Sequence, residues 1–361
     1  MRGQLLLFDT VRRQIEQLIP MFGILDQTSD ILDKFDTLCT DSLNIDVRGR
    51  APEFSRINTD GTPFQFSLSL NRSGLPAFQF LGEPGRPGCN MEERHASSFV
   101  IFEELANALG VTEEAKYITN ILCRIVPKLP RNLHVDVSGI LWFGLSFSPC
   151  SAPTLTIYAN TLWGAETSQW LRLSAIAEFF NSTGYWHLIT PLATRGLSPL
   201  GVSFSLSPNR CTKGRIYLRA YGQPLDVYRK LFLTSAPDQD GVDAFEAFGR
   251  QMLRDDAGYP TRSAVFSIEL PALTMLGTKF ELCAHCAFSH DAEASDRILA
   301  WLQDAGFDDQ IYRSTVSNLT HGRQLSTNDL PSLHAYVGVG VHNSEPYASV
   351  YLNPGPALEY L

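Results

Sequence analysis

The sequence predicts an α+β protein: a ten-stranded antiparallel β-barrel of five αββ units surrounded by an outer ring of helices. Three observations lead there. Strand-like runs come in pairs, helix-period segments separate the pairs, and several strands carry tyrosines and cations on their polar face.

The first pair is predicted at residues 62–70 (TPFQFSLSL) and 76–83 (PAFQFLGE), joined by a turn at Asn71-Arg72-Ser73-Gly74. Further pairs follow at 138–147 and 153–159, 200–206 and 213–220, 263–270 and 278–286, and 334–341 and 347–352. Helical periodicity fills residues 5–43, 91–126 with a break near Gly110, 165–180, and 224–253 in two pieces. It is clearest at 292–305, where Ile298, Leu299, Trp301 and Leu302 form an apolar stripe. No low-complexity linker divides the chain, so one domain over 1–361 is expected, with N-terminal helices in 1–50 and the barrel in 55–352.

The face on which polar residues fall bears on the architecture. Lys213, Arg215, Tyr217 and Arg219 alternate with Ile216 and Leu218; Thr154, Thr156 and Tyr158 alternate with Leu155 and Ile157; Gln65, Ser67 and Ser69 alternate with apolar residues. An open sheet would leave this face in water. A closed barrel turns it inward, removes every edge and leaves a lumen for ligands. Tyrosines recurring beside cations favour closure.

The 361 residues carry a net charge of −9, which argues against nucleic acid as a partner. Asp9, Arg12 and Arg13 interrupt the apolar start of the chain, and no apolar run reaches a membrane span, so neither a secretory leader nor a membrane is expected. The seven cysteines lack framework spacing, and a reduced, cytoplasmic protein is the plain expectation. Cys283-Ala284-His285-Cys286 lies in the predicted strand 278–286, where alternation would set the two thiols on opposite faces and exclude a metal or redox pair.

Several short motifs, in their order and spacing, resemble the dimethylallyltryptophan synthase class of aromatic prenyltransferases, whose barrel is called the ABBA fold. They are Gly61-Thr-Pro-Phe-Gln-Phe-Ser-Leu68 with Gly82-Glu83-Pro84-Gly85, Thr154-Leu-Thr-Ile-Tyr158, Lys213-Gly-Arg215-Ile-Tyr217, His334-Ala-Tyr336, and Ser349-Val-Tyr351-Leu-Asn-Pro354. The similarity runs from about residue 55 to 352. It implies ionisation of an allylic diphosphate, dimethylallyl or geranyl, and capture of the cation by an indole or other fused arene in secondary metabolism. Lys213, Arg215, Tyr217 and Lys279 would hold the diphosphate, Arg as a bidentate fork and Lys as a point charge. Tyr158, Tyr217, Tyr336 and Tyr351 would shield the carbocation. No cofactor is required on this reading, and no Asp-rich metal motif is present.

The departures are as informative. Gln65 stands where the class usually has a glutamate that accepts the indole N–H and assists proton loss; an amide can accept a hydrogen bond but is no base. Gln79 and Thr156 stand where an arginine and a lysine would grip the diphosphate, so Mg²⁺ is implied only if metal replaces those charges. Glu281 and His334 are the candidate substitute bases, although Glu281 is equally placed to pair with Lys279. Trp142, alternating with Phe143, either stacks on the acceptor or packs in the core. Two other readings remain: prenyl transfer to oxygen or nitrogen of a tyrosine or peptide side chain, and a non-catalytic barrel that binds an aromatic or isoprenoid ligand.

Overall fold

The computed structural model describes residues 6–46, 55, 57–58, 61–72, 76–126, 139–149, 151–162, 166–184, 186–187, 196–208, 213–221, 224–235, 239–253, 261–270, 277–342 and 345–354. The ends of the chain, residues 73 and 74 of the turn predicted at 71–74, the start of the strand predicted at 138, and Cys150 and Cys211 lie outside the described residues.

Ten strands close on themselves. They are β1 (Phe64–Asn71), β2 (Ala77–Gly82), β3 (Leu141–Ser148), β4 (Ser151–Asn160), β5 (Leu197–Leu206), β6 (Lys213–Tyr221), β7 (Thr261–Leu270), β8 (Thr278–Cys283), β9 (His334–His342) and β10 (Glu345–Leu352). Each pairs antiparallel with its neighbours in sequence, and β1 pairs with β10 to complete the ring. The predicted strands are all present, displaced by up to a few residues at their ends. The exception is β8, which stops at Cys283 and turns into a helical turn, Ala284–Ala287.

Period-2 alternation gives every strand one face for the helices. On β1, Phe64, Phe66, Leu68 and Leu70 are buried outward, and Phe78 and Phe80 of β2 and Phe143 and Phe147 of β3 continue the surface. Helices cover it: α1 (Leu7–Leu18), α2 (Thr28–Cys39), α3 (Met91–Ala108), α4 (Thr112–Ile125), α5 (Glu166–Phe179), α6 (Leu225–Ser235), α7 (Gln239–Met252), α8 (Asp291–Asp304) and α9 (Gln310–Leu319). From α2, Phe35 packs edge-on against Phe64 and Phe80, with ring centroids 5.7 and 6.1 Å apart. Full burial of each such ring contributes about 1.5–3 kcal/mol, so the outer layer is the main apolar core.

Local signals place the helices. Asn90 and Glu93 form a reciprocal capping box at the start of α3, with bonds of 2.9 and 3.1 Å. Gly110, at φ +67°, makes the left-handed turn that separates α3 from α4. The stripe expected at 292–305 falls on α8, where Ile298, Trp301 and Leu302 are fully buried.

Candidate active site

The same alternation that faces phenylalanines outward sends Gln65, Trp142, Tyr158, Lys213, Arg215, Tyr217, Lys279, Glu281, Tyr336 and Tyr351 toward the lumen, in two groups. The first is a cluster of ion pairs. Register sets Glu269 of β7 opposite Arg215 of β6. The Glu269 carboxylate accepts from Lys213 Nζ at 2.7 Å and Arg215 Nη2 at 3.0 Å, and His342 Nδ1 lies 3.4 Å away. Burial alone would raise Glu269, but the His342 hydrogen bond, the Arg215 charge and Lys213 outweigh it and hold the carboxyl well below its usual range. Arg215 also reaches Ser267 Oγ and the Tyr347 hydroxyl, each at 3.4 Å.

One strand further, Lys279 pairs with Glu281 at 2.7 Å and donates to the Tyr351 hydroxyl. Its ammonium stands 4.6 Å from the centroid of the Tyr351 ring, within cation–π range. Gln79 and Thr156 carry no charge to this cluster: Gln79 Nε2 donates to Ser146 Oγ at 3.1 Å, and Thr156 shares a 3.1 Å hydrogen bond with Ser205.

The second group walls a chamber of about 200 Å³, more than ten times what one water needs. Gln65, Trp142, Tyr158, Tyr217, Tyr336 and Tyr351 line it, and Arg219 and Glu281 are the charged groups of its wall. Tyr158 and Tyr217 have ring centroids 5.9 Å apart, and Tyr336 and Tyr351 6.3 Å. Burial, reinforced by the Glu281 charge, pushes the Tyr158 phenol up to about 12. Burial and the neighbouring Cys283 push Tyr336 up to about 12 as well. The four tyrosines are therefore neutral near pH 7: π faces and hydroxyl donors, not phenolates.

Two neighbours fix Gln65 and Trp142 on the chamber wall. Gln65 Nε2 donates to Asn58 Oδ1 at 2.9 Å, while Asn58 Nδ2 is held by the carbonyls of Thr62 and Phe64 at 3.0 and 2.6 Å. With one N–H of its amide given to Asn58, Gln65 is held with its carbonyl oxygen able to accept a hydrogen bond. Trp142 stands on the chamber wall, and Phe143 packs in the outer core. The indole Nε1 of Trp142 donates to Glu83 Oε2 at 3.1 Å. Glu83, fully buried, also accepts from Ser55 at 2.5 Å and Arg94 at 3.0 Å.

Two sequence expectations fail. His334 is no candidate base: the register of β9 and β10 shifts at Tyr351/Leu352, which turns His334 out of the lumen into the helix layer. There Nδ1 meets Asp291 at 2.7 Å and Nε2 meets the Tyr312 hydroxyl at 2.8 Å, all three residues buried. Cys283 and Cys286 are not on opposite faces either, because the helical turn 284–287 brings the second sulfur back beside the first, whose S–H donates to it. Both are free thiols. Among the described residues no group of three or more His, Cys, Asp or Glu is placed to hold a metal.

Other residues at the lumen were given no role from the sequence. Glu269 and Tyr347 had a usable signal, since each shares strand parity with a polar lumen residue, Ser267 and Tyr351. Arg219 continues the Lys213, Arg215, Tyr217 face. Asn58 lies outside the strands, where periodicity carries no information, and Glu83, quoted in a motif and predicted as the last strand residue, falls one residue past the end of β2.

No family model matches the sequence, and no curated protein is matched by it. Solved structures do match. The 5-dimethylallyltryptophan synthase of Streptomyces coelicolor superposes with a TM-score of 0.84 at 18% identity, over 99% of this chain and 100% of its own. The chain has the dimethylallyltryptophan synthase fold. The 6-dimethylallyltryptophan synthase of Micromonospora olivasterospora, in complex with DMASPP and Trp, gives 0.82 at 16% identity over 98% of each chain. AnaPT of Neosartorya fischeri gives 0.72 at 12% identity, over 95% of this chain and 91% of its own. Those barrels and this one share a ten-stranded closed topology despite identities too low to carry residue roles across. No helix among the described residues is long and apolar enough to cross a membrane.

Proposed function

We propose that the protein is an aromatic prenyltransferase, acting as one barrel domain and needing no metal. It moves a dimethylallyl or longer prenyl group from an allylic diphosphate to an indole or another fused electron-rich arene. The observation that carries the reading is the sharing of one lumen by a cation cluster and a tyrosine-walled chamber, with Tyr217 and Glu281 between them.

In this mechanism the allylic C–O bond breaks and its electron pair leaves with the phosphate oxygen. Lys213, Arg215 and Lys279 stabilise that developing charge, with Tyr217 as a hydroxyl donor. The allylic cation is held among Tyr158, Tyr217, Tyr336 and Tyr351, whose faces attract it and exclude water. An arene carbon, with the ring stacked on Trp142 and its N–H on Gln65, attacks to form the new C–C bond. The arene proton passes to Glu281, the carboxylate of the chamber wall.

The test is incubation of purified, EDTA-treated protein with dimethylallyl and geranyl diphosphate and a panel of indoles and fused arenes, read by mass spectrometry. One added C5H8 or C10H16 unit on an acceptor is the expected result. The Lys213→Ala/Arg215→Ala double variant should lose turnover by about 10³-fold or more. Gln65, Gln79 and Thr156 favour a second reading, a non-catalytic barrel for an aromatic or isoprenoid ligand. In that case the double variant would bind apolar ligand as the native chain does, and neither would bind an allylic phosphate or yield product.

A further inference from the structure

The rim where β8 ends holds chemistry that prenyl transfer does not use. Strand parity alone would set Cys283 and Cys286 on opposite faces, but the helical turn Ala284–Ala287 brings them together. Cys283 is the last residue of β8, with extended backbone at φ −71° and ψ 116°, and the turn starts directly after it. Residues three apart across such a turn have Cα atoms about 5–6 Å apart, inside the range that a disulfide spans.

Packing fixes the backbone that holds the two sulfurs. Leu282 and Ala284 are fully buried, Phe288 is nearly so, and the Phe288 N–H closes the turn on the Ala284 carbonyl at 2.9 Å. β8 is paired on both sides, with β7 and β9, and Cys283 itself stands opposite Tyr336. The sulfurs therefore meet because of the fold, and the Cys283 S–H donates to Cys286.

Burial gives the two thiols different parts. Cys286 is exposed and Cys283 is buried, so a dissolved reagent meets Cys286 first. The Cys283 hydrogen bond, opposed by partial burial and helped by the Arg219 charge, lowers Cys286 to about 6, which raises its thiolate fraction at neutral pH. The same bond and burial push Cys283 up and keep it a thiol. Once Cys286 carries an adduct it is a thiolate no longer, and that part of the rise at Cys283 disappears.

We propose that Cys283 and Cys286 are a reversible disulfide site, with Cys286 as the attacking thiol, Cys283 as the resolving thiol and a low-molecular-weight disulfide as the oxidant. The Cys286 thiolate attacks one sulfur of the dissolved disulfide. That S–S bond breaks, and its electron pair leaves on a small thiolate that takes up a proton. Cys283 then attacks the Cys286 sulfur of the mixed disulfide, its proton passing to the second small thiolate as that leaves. In sum two protein thiols are oxidised to one disulfide, and one small disulfide is reduced to two thiols. Closing the bond brings the sulfurs from hydrogen-bond contact to about 2 Å, a movement within reach of side-chain rotation. The hydrogen bond from Cys283 to the thiolate stabilises the reduced pair, so an added dithiol reopens the bond.

The test exposes the reduced full chain to glutathione disulfide at pH 7, followed by an acid quench, alkylation and peptide mapping. The native chain should lose two hydrogens from the tryptic peptide that carries both cysteines, and dithiothreitol should restore them. Cys283→Ser should instead keep glutathione on Cys286. Cys286→Ser should show neither an adduct nor an internal bond at Cys283. Glutathione retained on Cys286 of the native chain, with no internal bond, overturns the site. Reaction at exposed Cys123 with Cys286 untouched also overturns it. If Cys283→Ser does not fold, the native map and Cys286→Ser decide. None of these readouts needs turnover, so failure of the disulfide leaves prenyl transfer standing, and failure of prenyl transfer leaves the disulfide standing.

Discussion

Asp291 and Glu269 are both carboxylates that collect several donors, one in the helix layer and one in the lumen. Asp291 receives the backbone N–H groups of Ser332, Leu333 and His334 and the His334 imidazole, at 2.7 to 3.0 Å. Its partners are mostly main chain from one segment, and it is 3% exposed. Among the described residues Glu269 is held by side chains from other strands, Lys213, Arg215 and His342, two of them substantially exposed. A carboxylate bound by backbone fixes a loop and has nowhere to go. One bound by long, partly solvated side chains can yield them to another anion. Similar chemistry becomes scaffold in one place and site in the other.

Removing each carboxylate sharpens that contrast. Asp291→Ala strands three N–H groups, those of buried Leu333 and His334 among them, and should cost about 3 kcal/mol of stability, read by urea denaturation at pH 7. Glu269→Gln leaves Lys213 and His342 to water and the buried Arg215 to Ser267 and Tyr347, and should cost less than Asp291→Ala, about 1–2 kcal/mol. The pH dependence has a sign. Burial would raise Asp291, but the His334 hydrogen bond and charge and the backbone donors win and lower it to about 2. A folded pKa below the unfolded value means that the stabilisation is fully present above about pH 4 and is lost as pH falls toward 2. The native chain should therefore lose roughly 2–3 kcal/mol over that window, and Asp291→Asn should lack that component. Equal acid sensitivity in both would remove Asp291 from the scaffold side of the comparison.

Glu83 falls between the two, a buried carboxylate with one bond to the site. Burial pushes its carboxyl up, and Arg94, Ser55 and Trp142 pull it partly back. Glu83→Gln keeps one acceptor oxygen and turns its amide nitrogen on the donors of the other, either Arg94 or the Ser55 and Trp142 pair, which should cost about 2 kcal/mol of stability. As a positioning residue for Trp142 it should raise the acceptor KM more than it lowers kcat. A fall in kcat with KM unchanged would place Glu83 in the chemical step instead. A stability loss with neither parameter moved would make it scaffold alone.

How much of this was legible follows from which residues obey a period. Strand alternation carried the barrel, its outer phenylalanines and the inward Lys213, Arg215 and Tyr217, because β-strand parity is set by backbone geometry alone. It misplaced His334, since a register shift at Tyr351/Leu352 inverts parity and leaves no mark in composition. It extended β8 through Cys286, because Cys-Ala-His-Cys-Ala-Phe reads equally well as strand or helical turn. Glu83 and Asp291 act from outside strands on partners far along the chain, and such contacts exist only after folding; Asn58 reaches Gln65 from the short segment before β1, where no period applies. The pairing of Lys213 and Arg215 with Glu269 lies in the same class: the residue types were visible, but strand register made the cluster.

The smallest expected effect concerns the rim where β8 ends. The hydrogen bond with the Cys283 thiol, with help from the Arg219 charge and against partial burial, lowers Cys286 to about 6. The same bond and burial push Cys283 up. A lowered thiol pKa means more thiolate at neutral pH, so iodoacetamide at pH 7 should modify exposed Cys286 about tenfold faster than exposed Cys123. Peptide mapping of a short pulse reads the ratio, and equal rates would contradict the thiol pairing. Cys283 stands opposite Tyr336 in the β8–β9 ladder, yet Cys286 itself points to the exterior. Alkylation there should act as a surface change, within about 0.5 kcal/mol, or roughly twofold in acceptor KM. A larger shift would mean that Tyr336 moves with the rim, and the boundary between scaffold and site would then lie one helical turn further out than Glu269 and Asp291 place it.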